Sequence, residues 1–179
     1  MPDNLAPAYT LTARVLHWIV AVLVLSMIPF GLIMVRLDSG PIQDLLFNLH
    51  RSIGAILLPI VLVRLVWRLQ NPPAPLPAEI PAIQRAAAHV THWALYVLLI
   101  GQPLIGWIAT SAYRAPIGVF WLFELPPIWP EDRAFSEQLF ALHRLLGFAI
   151  AALVCAHIGA ALFHHFVLRD RVLMRMITG

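Results

Sequence analysis

The chain has 179 residues, 60% hydrophobic and 12% charged, with mean hydropathy +0.81. A soluble domain of this size carries about twice that charge, so a soluble globular enzyme is excluded and an integral membrane protein is indicated. All twelve basic residues are arginines; they flank apolar runs instead of forming an aromatic-interleaved basic patch, so the high pI of about 9.8 does not signal nucleic acid.

The first apolar run covers about residues 15–35 and predicts a membrane span, for which about 20 apolar residues suffice. It is longer than the hydrophobic region of a removable signal peptide. No small-x-small cleavage site precedes the next polar stretch, so the segment is expected to stay in the protein. Thr10 or Thr12 can cap its start. The second span covers 48–67, with Pro59 as its expected bend. The third covers 86–109, with Pro103 late in it between Gly101 and Gly106. The fourth covers 136–166 and is long enough to project beyond the roughly 30 Å hydrocarbon core. Cys155 lies in this last span; as the single cysteine it allows neither an internal disulfide nor a Cys-x-x-Cys cluster site.

The connections differ in kind. Residues 36–47 form a short loop. Residues 69–85 hold prolines at 72, 73, 75, 77 and 81 and predict a stiff, extended crossing. Residues 110–135 carry Tyr113, Phe120, Trp121, Phe123 and Trp129, a composition suited to the membrane interface. A short interfacial helix is expected over 119–125. The expected fold is all-α: a transmembrane four-helix bundle forming one membrane domain over 1–179.

Charge sets a direction. Arg14, Arg64, Arg68, Arg85, Arg169, Arg171 and Arg175 fall on one side with Asp3, Glu79 and Asp170. Arg36, Arg51, Arg114, Arg133 and Arg144 fall on the other with Asp38, Asp44, Glu124, Glu131, Asp132 and Glu137. The positive-inside rule then puts both termini in the cytoplasm.

Two segments nearly repeat: Leu49-His50-Arg51-Ser52-Ile53-Gly54 and Leu142-His143-Arg144-Leu145-Leu146-Gly147. Each sets a histidine and an arginine at an outer helix mouth, with a glycine one turn deeper. A lone histidine near a span end is usually an interfacial residue bonded to a carbonyl. Histidines at matched depths on three helices point instead to axial metal ligands. His143 and His157 are 14 residues apart, about 21 Å along one helix and nearly on one face. That spacing suits two haems stacked across a bilayer, ligated by His50 with His143 and by His17 with His157. Gly54 and Gly147 leave room for a flat ring. Arg51, Arg144 and, on the inner side, Arg14 are candidate propionate partners. His92-Trp93 enters the third span much as His17-Trp18 enters the first. His92 is therefore either an alternative ligand opposite His157 or a hydrogen-bond donor to a quinone. His164 and His165 read as the interfacial end of the fourth span. Zinc would need three or four convergent ligands, usually with acidic or thiolate help, and opposed histidine pairs suit haem better.

Taken together, Arg14-x-x-His17-Trp18, Leu49-His50-Arg51-x-x-Gly54, His92-Trp93-x-x-Tyr96, Pro103-x-x-Gly106-Trp107, His143-Arg144-x-x-Gly147 and the ending from His157 through His164-His165-Phe166 to Arg169-Asp170 resemble the bacterial cytochrome b561 family. The resemblance covers nearly the whole chain. It implies two b-type haems, both bis-histidine, in a multi-pass protein of the bacterial inner membrane. It also implies electron traffic between the outer surface and ubiquinone. Some members resemble a superoxide oxidase; in that role Arg51, Arg133 and Arg144, with Arg36 and Arg114, would steer a small anion to the outer face. The family's usual lysines are absent, so arginine must fill any such role. The competing expectation is a quinol-oxidising cytochrome that feeds a periplasmic or membrane redox partner.

Overall fold

The computed structural model describes residues 9–178, so Asp3 lies outside the described residues. Four long apolar helices dominate: α1 Leu11–Met34, α2 Pro41–Gln70, α3 Ala82–Tyr113 and α4 Arg133–Phe163. Thr10 caps α1, its hydroxyl accepting from Ala13 N at 3.3 Å. Asp132 caps α4 in the same way, accepting from Phe135 N at 3.0 Å. Helix α2 begins earlier than its apolar run suggests. Pro41 occupies the first turn, where its fixed φ suits helix entry and its missing N–H costs nothing, and Asp44 complements the positive end of the dipole. The proline-rich segment 71–81 is not helical, as its composition requires.

Helix α4 runs into a π-helical turn, His164–Leu168, and the left-handed Arg169 stops it. A last short helix, α5 (Met174–Ile177), returns to the start of α1, where Trp18 Nε1 donates to Met176 O at 3.1 Å. The end of the bundle that carries both ends of the described chain is called here the terminal face.

At the opposite end the expected interfacial helix over 119–125 is not formed. The segment is an antiparallel hairpin of β1 (Ile117–Val119) and β2 (Phe123–Leu125). Pro116 and Pro126 bracket the stretch, and the β-branched Ile117 and Val119 favour extended backbone. Phe120 and Trp121 make the turn at positive φ, 47° and 60°. Tertiary bonds offset that strain: Phe120 N donates to Ser52 Oγ at 2.7 Å, and Arg51 Nη1 donates to Pro116 O at 2.6 Å. Trp107 Nε1 donates to Pro126 O and Ile128 N to Ser111 Oγ, tying the rest of this connection to α3, and Ser136 of α4 donates to Ala109 O. This end is called the hairpin face.

Helix α1 packs on α2, α3 on α4, and α2 on α3. The buried core is a thin layer at mid-bundle: Val20 and Val24 from α1, Leu57 and Val61 from α2, Tyr96 from α3 and Ile150 from α4. Large apolar side chains such as Val22, Val63, Val97 and Leu145 point outward. This is the arrangement of a bundle whose solvent is lipid.

Candidate functional site

Above and below that core lie two layers of histidine. On the hairpin side the His50 and His143 rings face each other, with centroids 6.1 Å apart and planes at 71°. On the terminal side His17 and His157 stand 6.2 Å apart at 69°. His92 also meets His157, at 5.1 Å. Two metal–imidazole bonds of about 2 Å each, plus two ring radii, separate opposed centroids by about 6 Å. The His50–His143 and His17–His157 pairs meet that requirement; the His92–His157 pair is too close.

The surroundings of the hairpin-side pair also fit a flat metal cofactor. The His50 and His143 Nδ1 atoms are buried and make no hydrogen bond within the usual limits. Each ring approaches the main chain of a neighbouring helix, at Met27 and Gln102 respectively. Such contacts orient ligating imidazoles. A Cβ on Gly31 would sit 3.1 Å from His50 Cε1, and one on Gly106 would sit 3.1 Å from His143 Cε1. These two glycines back the His50 and His143 rings, and the role of Gly31 is not evident from the sequence. Gly54 and Gly147 face flexible side chains instead, Met27 Cε and Gln102 Nε2, each at 3.5 Å.

These contacts expose a fuller internal repeat than the His-Arg-x-x-Gly pair alone. Seventy-five residues separate His17 from His92, Met27 from Gln102 and Gly31 from Gly106. Ninety-three separate His50 from His143, Gly54 from Gly147, Leu57 from Ile150 and Arg64 from His157. The α1–α2 and α3–α4 hairpins are therefore two copies of one design. Among the histidine positions the design breaks where Arg64 stands in the place His157 takes in the other copy.

The arginines divide by partner. Arg51 is committed to the hairpin, bonding Pro116 O and also Phe47 O at 3.2 Å. Arg133 lies over the Tyr113 ring at 4.0 Å and 3.9 Å from Glu131. Arg144 is exposed beside His143. Arg14 is half-buried, and its Nε makes no hydrogen bond. Arg64, absent from the sequence-derived candidates, reaches a candidate ligand histidine: its Nη2 lies 3.1 Å from His17 Nδ1, and its Nη1 donates to Ala13 O at 3.0 Å. The signal that finds it is its spacing of 14 residues from His50, the same as His157 from His143. His164 pairs with Asp170 at 2.5 Å in the π-helical turn.

Four apolar helices carrying opposed histidine pairs in two layers define a class: a membrane electron-transfer protein of cytochrome b type. Residues 8–179 match the prokaryotic cytochrome b561 family, and the chain belongs to it. It is 34% identical to cytochrome b561 homolog 2 of Escherichia coli K12, over 97% of this chain and 93% of that protein. It is 30% identical to a protein of Yersinia pestis named "Probable superoxide oxidase CybB", over 90% and 91%. It is also 30% identical to cytochrome b562 of Cereibacter sphaeroides, over 96% of each. With its four spans, the chain is a multi-pass protein of the bacterial inner membrane.

Proposed function

We propose that the protein is a di-haem b electron carrier that takes electrons from superoxide at its hairpin face and delivers them to ubiquinone. The observation that carries this reading is the pair of matched histidine separations, 6.1 and 6.2 Å, at two depths on the one helix α4. His50 and His143 hold one haem and His17 and His157 the other; when bound, these groups supply one-electron chemistry whose potential the ligands and their surroundings set. In this reading the terminal face is cytoplasmic and the hairpin face periplasmic.

The chain's own residues do the rest. Helix α4 holds the two ligand pairs about 21 Å apart along its axis, and the Val20, Val24, Leu57, Val61 and Ile150 layer keeps water out between them. The hairpin, clamped by Ser52 and Arg51, covers α2 beside His50. Arg51, Arg133 and Arg144 lie on the face an anionic donor approaches, Arg144 being the exposed one beside a ligand. Arg144 and Arg14 are propionate partners, Arg51 being held by the hairpin; Gly54 and Gly147 leave space shared with the flexible Met27 and Gln102 side chains, and His92 donates to a quinone carbonyl. Two superoxide anions each give up one electron and leave as oxygen. One ubiquinone takes up the two electrons with two protons and leaves as ubiquinol. The printed name of the Yersinia pestis relative supports the choice of superoxide.

A second reading, oxidation of quinol in favour of a periplasmic or membrane redox partner, draws on the exposed apolar hairpin tip, Trp121-Leu122-Phe123. Stopped-flow absorbance of the purified, oxidised protein decides between them. Superoxide should reduce the b-type bands quickly, and ubiquinone should then reoxidise them. Bands that ignore superoxide but respond to ubiquinol would transfer the assignment to the second reading.

A further inference from the structure

Arg64 is a half-buried cation in a membrane span, and among the described residues no carboxylate lies within ion-pair distance of it or of Arg68. Cations in apolar spans ordinarily find a partner, because desolvation without one is costly. Both guanidinium groups flank Tyr96, at 5.9 and 5.8 Å from its ring centroid. Tyr96 is 93% buried, and its hydroxyl lies beside the Arg64 guanidinium with no hydrogen bond inside the usual limits. All three line one small cavity on the terminal side, together with Tyr9 and Trp67. Its volume of about 20 Å³ has room for about one water molecule, so it takes the tip of a polar group and not a bulky ring face. Two guanidinium donors and a phenol around so small a space match a carboxylate.

The contact between Arg64 and His17 points the same way. A guanidinium has no acceptor, so its bond to His17 Nδ1 requires the histidine proton on Nε2. A histidine that ligates through Nε2 carries its proton on Nδ1 instead. A haem ligated there would therefore compete with Arg64 for His17, and the cavity with Arg68 and Tyr96 is the polar space beside Arg64.

We propose that Arg64, Arg68 and Tyr96 form a carboxylate cradle for a propionate of the terminal-side haem. We further propose that the Arg64 charge makes this haem the easier of the two to reduce. The proposal rests on the di-haem reading above. A fixed cation close to the metal favours the state with one more electron. The break in the internal repeat supplies the asymmetry, since in the α3–α4 copy the Arg64 position is occupied by the ligand His157.

The test is redox potentiometry with haem quantitation on the whole protein, comparing wild type with Arg64→Gln, Arg64→Lys and Tyr96→Phe. The wave lost in His17→Ala identifies the terminal-side haem. Arg64→Gln should shift electron sharing between the haems at least tenfold toward the hairpin-side one, equivalent to about 59 mV, with the hairpin-side wave unmoved. Arg64→Lys should recover most of the shift, and Tyr96→Phe should give a smaller change in the same direction. Loss of the terminal-side haem in Arg64→Gln but not in Arg64→Lys also supports the cradle. Loss in both makes Arg64 a packing residue and overturns it. Full haem content with unmoved waves overturns it too. A wild-type protein without two b-type haems would refute the di-haem reading itself.

Discussion

The two histidine layers are built from the same repeat and end up different. In the hairpin-side layer the copies agree: glycine on α1 and α3, histidine on α2 and α4, each ring seated against a glycine. In the terminal-side layer α1 and α3 both supply histidine, while α2 supplies Arg64 and α4 supplies His157. One substitution in the repeat moves the opposed pair from α2–α4 to α1–α4, leaves His92 as a third imidazole and adds a charge. A duplicated hairpin can thus hold two chemically similar centres in electrically different settings.

The strongest way to break this comparison is to remove ligands one layer at a time. His143→Ala should abolish the hairpin-side haem and His157→Ala the terminal-side one. Each variant should keep about half of the b-type absorbance per protein. If His157→Ala retained full haem while His92→Ala lost half, the pairing drawn from the centroid separations would be wrong.

The seating of the rings can be sharpened next. Gly106→Val places branched carbon where a single Cβ already lies 3.1 Å from His143 Cε1. Overpacking of that kind costs about 1–3 kcal/mol, and it should weaken haem retention at the hairpin-side layer alone in a haem-transfer assay. Gly54→Ala, facing the flexible Met27 at 3.5 Å, should retain haem normally. Equal effects at the two positions would remove the distinction between seating and facing glycines.

The cover over the hairpin-side layer is tested by Ser52→Ala. Ser52 is fully buried, and its hydroxyl accepts the Phe120 N–H in the strained turn. Leaving that donor unpaired costs about 1–3 kcal/mol. Amide hydrogen exchange should accelerate across 117–125, with the spans unchanged. Unaltered protection there would mean that Arg51 alone holds the hairpin.

The smallest effect is expected at the surface. Arg144→Gln should lower the rate of reduction by superoxide a few-fold at low ionic strength and flatten its salt dependence. The same change should leave ubiquinone-dependent reoxidation as it was. A rate indifferent to both the substitution and salt would remove steering from the account.

Much of this architecture is legible in the chain. Apolar runs of span length, separated by a proline-rich crossing, dictate four helices, because a membrane offers no other partner for their backbone groups. Thr10 is a visible cap, and the His-Arg-x-x-Gly repeat together with the 14-residue spacing on α4 marks both depths. What escaped the reading depended on neighbours distant in sequence. The aromatic segment 119–125 has the composition of an interfacial helix. Its backbone is satisfied as a hairpin only because Ser52 and Arg51, on another helix, supply bonds to it.

The sequence alone therefore determined the environment, the number of spans and the candidate ligands, all of which follow from local hydrophobicity and helical period. Tertiary structure decided which rings oppose one another, since the separation between His17 and His157 depends on how α1 and α4 are spaced by the rest of the bundle. It also decided that Gly31 backs His50, that Arg51 serves the hairpin, and that Arg64 meets His17 across 47 residues of chain. These are contacts between helices, and a pattern read along one helix carries no information about the rotation and depth of its neighbour.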